Sequence, residues 1–190
     1  MGPPASLPVP KLRSGAFKRL APAVVLALTA AACGSGPAPT TYDLSAPRAG
    51  ARFGGAGSTA AGTGVVREEL AELDVAPLVV DGSGLSRYDR TSPREVVATL
   101  EEMDGDAAFT GSLAIAGRTG TLTDRMRGGA AQDRCRAKTG TLRDVSALAG
   151  YCTTRSGANV AFAFLMNYVS PYGARILQDR MTNALARYRP

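Results

Sequence analysis

Few residues in this chain carry groups that could do chemistry. At positions 138–141 a lysine, a threonine, a glycine and a second threonine stand in a row. Alone, any three of them recur by chance, so their meaning rests on the surroundings. The sequence contains no histidine, which excludes a Ser-His-Asp triad and any histidine-containing metal site. Ser83 and Ser86 lie in "DGSGLSRYDR" with Asp81 and Asp89 close by. A carboxylate is a feeble base for a serine hydroxyl, so this Gly/Ser stretch reads as a hydrogen-bonded turn lining a cleft. Lysine occurs at positions 11, 18 and 138.

These residues need elements to position them. "VVREELAEL" puts Val66, Leu70 and Leu73 on one face of a short amphipathic helix. "APLVVDGSGLS" reads as an apolar strand running into a turn. "TSPREVVATLEEM" has Ser92 as N-cap, Pro93 at the first helical position and Glu95 closing a capping box. Val96, Val97, Leu100 and Met103 form the buried stripe of that helix. From Arg134 the period becomes two. "CRAKTGTL", "VSALAGYCTT" and "NVAFAFLMN" read as three strands of an antiparallel meander. "GARILQDRMTNALARY" then places Leu177, Met181, Leu185 and Tyr188 on one face of a helix expected to pack across the sheet.

The first hairpin permits a sharper expectation. A two-residue turn at Arg143-Asp144 sets Leu142 opposite Val145, and the same register sets Cys135 opposite Cys152. Counted outward, that pair falls at a non-hydrogen-bonded site, where backbones approach most closely and a disulfide fits.

The N-terminus follows different rules. Lys11, Arg13, Lys18 and Arg19 precede "LAPAVVLALTAAAC", the cationic start, apolar run and small-residue exit of a secretory signal. The run is too short for a permanent transmembrane helix. Cys33 after Ala31-Ala32 fits a lipidated N-terminus. The expected organisation is therefore a signal over 1–33 with lipid on Cys33, a Gly/Ala/Pro/Ser-rich linker over 34–62 and a domain over 63–190. Such a chain would be exported and tethered at the outer face of the cytoplasmic membrane. The formal net charge is +6. Its arginines are scattered, which fits anionic envelope polymers or lipid head groups and argues against nucleic acid. Removal of the signal leaves Lys138 as the remaining lysine.

Taken together and in order, "VVDGSGLSRYDRTSP", "GTLTDRMRG", "RAKTGTL", "SALAGYCTT" and "LMNYVSPYGARILQDRM" resemble the C-terminal part of the D-alanyl-D-alanine carboxypeptidase/endopeptidase family, the class C low-molecular-mass penicillin-binding proteins. The resemblance runs from about Gly54 to the C-terminus. It implies an α+β (α/β) fold, an antiparallel sheet with flanking helices equivalent to the C-terminal portion of a penicillin-binding transpeptidase or β-lactamase-like domain. It also implies serine acyl transfer on peptidoglycan stem peptides ending in D-Ala-D-Ala, acylation by β-lactams, and no cofactor. That chemistry uses S-x-x-K, S-x-N and K-T-G. Mapped by the resemblance, Lys138 supplies positive charge, Thr139 a strand hydroxyl, Gly140 close backbone access and Thr141 a second hydroxyl. Asp89 stands where relatives often carry Asn.

The other two motifs can be sought residue by residue. Pro8, Gly15 and Cys135 stand three positions before the lysines, and Gly157, Leu165 and Met181 stand two before the asparagines. The sequence thus contains neither S-x-x-K nor S-x-N. Three expectations follow: an enzyme by family that is inactive alone, a lipid-anchored module binding wall peptides without hydrolysis, or one half of a split or remnant enzyme.

Overall fold

The computed structural model describes residues 58–189. Cys33 and most of the expected signal and linker lie outside them. The first helix, α1 (Thr59–Ala71), begins inside the segment read as linker. Leu70 is fully buried with Val75, and Val66 and Leu73 pack against them, the face expected from the sequence.

The next segment departs from expectation. Residues 75–80 are extended and alternate in burial, with Val75 and Val79 inside. Yet they join no sheet. A single bridge between Leu78 and Arg90 is the whole of their pairing. Other polar groups of the segment are taken by side chains. Ala76 N–H donates to Glu95 (3.3 Å), Val80 N–H donates to Asp89 (2.8 Å), and the Val79 carbonyl accepts from Arg67 (2.6 Å). Just beyond, Asp81 accepts from the Ser83 and Gly84 amides. An extended apolar run becomes a strand only where a neighbour's backbone is free, and here side chains got there first.

Helix α2 (Pro93–Met103) has the expected start. Glu95 N–H donates to Ser92 Oγ, and Ser92 N–H donates to the Glu95 carboxylate at 2.6 Å. Val96, Leu100 and Met103 are buried, and Val97 is half-buried. A short helix α3 (Ala107–Ser112) and a two-residue strand β1 (Ala114–Ile115) follow. The meander comprises β2 (Cys135–Leu142), β3 (Val145–Thr153) and β4 (Asn159–Asn167). Helix α4 (Pro171–Arg187) ends the fold. The sheet order is β1-β2-β3-β4, all pairs antiparallel.

Each face of the sheet has its own core. On one face Ala149, Tyr151, Ala161, Ala163 and Leu165 meet α2 and Phe109. On the other, Cys135, Ala137, Leu148, Cys152 and Phe162 meet Leu122, Met126 and Ala186 of α4. Alternation along the strands produces both sets.

Helix α4 does pack on the sheet, but with a different face from the one expected. It buries Ala174, Gln178, Thr182 and Ala186, while Leu177 and Tyr188 are about half exposed. The polar residues of this stripe are satisfied inside. Gln178 donates to Ser146 (3.1 Å), and Thr182 donates to the Gln178 carbonyl (2.8 Å). Arg125 closes the arrangement through Asp179 at 2.6 Å and Gln178 at 3.1 Å. Small and hydrogen-bonded side chains let the helix sit close to β3, which hydrophobicity alone does not reveal.

Candidate functional site on the Lys-Thr-Gly strand

Strand β2 holds the Lys-Thr-Gly-Thr row. Its register is as derived from the turn: Leu142 pairs with Val145, Lys138 with Ala149 and Cys135 with Cys152. The two cysteines form a buried disulfide with Cα atoms 4.0 Å apart. Thr153 N–H donates to the Arg134 carbonyl, so Cys135–Cys152 is a non-hydrogen-bonded pair. The bridge ties β2 to β3 three residues before Lys138.

The pleat separates the four residues. Lys138 and Gly140 lie on the α2 side of the sheet, while Thr139 and Thr141 lie on the α4 side. Thr139 is buried and its hydroxyl donates to Thr121 (2.9 Å), in the 3₁₀ turn Gly120–Leu122. Thr141 accepts from Arg175 of α4 (3.2 Å). Lys138 is half-buried, and its ammonium donates to the Thr139 carbonyl at 2.7 Å. Burial pushes its pKa below the ordinary 10.5. Among the described residues no carboxylate forms an ion pair with it.

The row converges at the strand's edge. With even-numbered β2 residues bonded to β3, the N–H and C=O groups of Thr139 and Thr141 point to the outer edge. Strand β1 covers that edge only as far as Arg136 and Ala137. Beyond it, no described strand pairs with Thr139–Leu142. An open edge with an ammonium beside it can take an extended segment that ends in an anion.

At the far end of β2 lies a groove of about 680 Å³, lined by Leu85, Arg87, Leu142, Arg143 and Asp144. This brings the "DGSGLSR" turn, expected to line a cleft, to the end of β2 and its hairpin turn; the particular partners of Leu85 and Arg87 were not foreseen from the sequence. Arg87 donates to Asp144 at 2.6 Å. The hydrogen bond and charge of Arg87 hold the Asp144 carboxyl below its usual range. The serine hydroxyls of the turn are engaged locally: Ser83 Oγ donates to Asp81 (3.0 Å), and Ser86 Oγ accepts from the Tyr88 amide (3.1 Å). Among the described residues no group of three or more histidine, cysteine, aspartate or glutamate side chains could hold a metal. No helix among them is long and apolar enough to cross a membrane.

An antiparallel sheet with helices on both faces and a Lys-Thr-Gly edge strand is the architecture of the penicillin-binding proteins. Penicillin-binding protein 4 of Haemophilus influenzae, solved with a novel β-lactam, superposes with a TM-score of 0.65 at 26% identity, over 74% of this chain and 36% of that one. A D-alanyl-D-alanine carboxypeptidase of Actinomadura sp. (strain R39) is 40% identical over 151 residues, 73% of this chain and 28% of that protein. A carboxypeptidase of Mycobacterium tuberculosis is 36% identical over 126 residues, 61% of this chain and 27% of its own length. The chain belongs to the D-Ala-D-Ala carboxypeptidase 3 (S13) family, which it matches over residues 47–188. It spans about a quarter of the length of these curated relatives.

Proposed function

We propose that the chain is a cell-wall peptide-binding member of this family, exported and anchored through Cys33, that performs no acyl transfer alone. The observation that carries the reading is the open outer edge of β2 with the half-buried Lys138 ammonium beside it. The ligand is a stem peptide ending in D-Ala-D-Ala. Its extended backbone adds to the edge through the Thr139 and Thr141 main chain, and its terminal carboxylate draws the Lys138 ammonium from the Thr139 carbonyl. The half-buried Thr141 offers a hydroxyl, while the Thr139 hydroxyl stays buried against Thr121 and Gly140 adds no side chain to the strand. A groove with Arg87 and Arg143 in its walls continues the path along the strand.

Hydrolysis would need a serine to take the peptide carbonyl and a nearby amine to take its proton. The 190 residues contain no S-x-x-K and no S-x-N. A serine β-lactam adduct is therefore not expected on this chain. The second reading is a split enzyme whose other chain carries both motifs. It is favoured by the extent of the match, 36% of penicillin-binding protein 4 and 28% of the Actinomadura enzyme.

The test is a titration of the full chain with an N-acyl-D-Ala-D-Ala peptide, followed by NMR shifts of the Thr139 and Thr141 amides. Saturable shifts are expected, lost with a C-terminally amidated peptide and weakened at least tenfold by Lys138→Ala. Equal binding of the amidated peptide, or an indifferent Lys138→Ala, would overturn the reading.

A further inference from the structure

Two threonine hydroxyls stand on the Lys-Thr-Gly-Thr row, and a hydroxyl carries one hydrogen and two lone pairs. Where the single hydrogen goes decides whether the group can donate to a ligand. Thr139 spends its hydrogen inside the fold, on Thr121 Oγ1 at 2.9 Å. Thr141 does the reverse and accepts, from the Arg175 guanidinium at 3.2 Å. A guanidinium has donors only. Thr141 therefore cannot spend its hydrogen on Arg175, and among the described residues no other bond takes it.

The neighbours of Arg175 hold it to this contact. An arginine on a helix ordinarily pairs with a carboxylate one turn away, and Asp179 stands at that position. Asp179 is paired with Arg125 instead, through Nε at 2.9 Å and a terminal nitrogen at 2.6 Å. Arg125 also donates to the Arg175 carbonyl at 3.3 Å and to Gln178 at 3.1 Å. Gln178 in turn donates to Ser146 of β3. These bonds fix the first half of α4 over the sheet, with Ala174 buried beside them. The Arg175 side chain is exposed and in no ion pair among the described residues, and it reaches across to β2.

Accepting from a cation has two effects on the Thr141 hydroxyl. It commits a lone pair toward α4 and so turns the hydrogen away from Arg175. It also polarises the O–H bond, which strengthens the group as a donor. An anion is the natural acceptor for a donor prepared in this way, with the guanidinium charge close behind it.

From these bonds we propose that Arg175 is a positioning residue of the carboxylate site. It acts through Thr141, whose hydroxyl hydrogen it leaves for the terminal carboxylate of the bound peptide. The inference rests on the peptide-binding reading above, and it names the residue that gives that site its preference for a carboxylate. Thr139, with its hydrogen on Thr121, has no such part.

Two probes on the full chain keep this inference and that reading apart: sodium acetate, which presents a carboxylate alone, and an N-acyl-D-Ala-D-Ala peptide. Binding is followed by NMR at the Thr141 methyl group, with acetamide and sodium chloride as controls. Saturable shifts are expected with acetate and with the peptide, and with neither control. Arg175→Met should weaken both by about fivefold, the worth of one hydrogen bond, with its melt unchanged. Arg175→Lys, which keeps a cationic donor, should recover most of the loss. In a Thr141→Val background, read at the Gly140 and Leu142 amides, Arg175→Met should change neither affinity further. An equal loss in both backgrounds would mean that Arg175 acts by its charge alone, and overturns the proposal. So does acetate that leaves Thr141 unmoved, or an Arg175→Met chain that binds as the wild type does. If acetate behaves as stated and the peptide does not bind, the edge-strand reading falls and the role of Arg175 stands.

Discussion

Removing the Cys135–Cys152 bridge by the double substitution Cys135→Ala/Cys152→Ala tests how the Lys-Thr-Gly strand is held. The cysteines are 17 residues apart. Closing a loop of that length in the unfolded chain lowers its entropy enough to stabilise the fold by about 3 kcal/mol. Unfolding entropy near 60 °C is about 2.1 cal/mol/K per residue, so for roughly 130 described residues the loss corresponds to a fall in Tm of about 10 °C. Both sulfurs are buried, so the small cavities left behind add to the loss rather than offset it. The assay is thermal unfolding followed by circular dichroism, repeated in urea to compare midpoints at constant slope. A fall below about 2 °C would refute the reasoning. It would mean that the tight hairpin already restrains the unfolded chain and that the bridge is redundant.

Three further outcomes follow from the same geometry. Gly150 faces Ala137 across the strands, and an added Cβ there would collide with the Arg136 carbonyl and lie 2.6 Å from the Ala137 Cα. Gly150→Ala should therefore cost about 3 kcal/mol, read as a shifted urea midpoint. Burial works to raise the Glu95 carboxyl, but hydrogen bonds from Ser92, Thr91 and Ala76 outweigh it and hold its pKa below the usual 4.5. A carboxyl depressed in the folded state contributes stability above its unfolded pKa and loses it as pH falls through the folded value. Glu95→Ala should cost about 1 kcal/mol at pH 7 and flatten the dependence of Tm on pH below about 4.5. The pKa of Lys138 is lowered by burial, so its charge is lost below the ordinary 10.5. Affinity for the D-Ala-D-Ala peptide should therefore decline as pH rises through that lowered value, and in Lys138→Arg it should hold to higher pH.

How much was legible in the sequence depended on how local the signal was. The capping box at Ser92-Pro93-Glu95 and the two-residue turn at Arg143-Asp144 are written in adjacent residues, so helix α2, the β2–β3 register and the disulfide could all be read. The "APLVV" segment is as apolar as a strand, yet it joins no sheet: Glu95 and Asp89 take the Ala76 and Val80 amides, and Leu78 bridges only to Arg90. Whether a strand finds a partner is decided at long range. The face of α4 was misread for a related reason. Leu177, Met181, Leu185 and Tyr188 form the more apolar stripe, but Ala174, Gln178, Thr182 and Ala186 fit close to β3, with Ser146 satisfying the buried Gln178. Strand β1 is too short to leave a periodic signal. At the site, "KTGT" and the family resemblance pointed to the strand. The placement of Leu85 and Arg87 beside Leu142 depends on tertiary packing and left no trace in spacing.

The measurement that bears most directly on the proposed function is the intact mass of the folded, non-reduced full chain before and after benzylpenicillin. An unchanged mass is expected, because Lys138 stands without an S-x-x-K serine in these 190 residues. A stable penicilloyl adduct, mapped by peptide analysis to Ser83, Ser86 or any other serine, would contradict it.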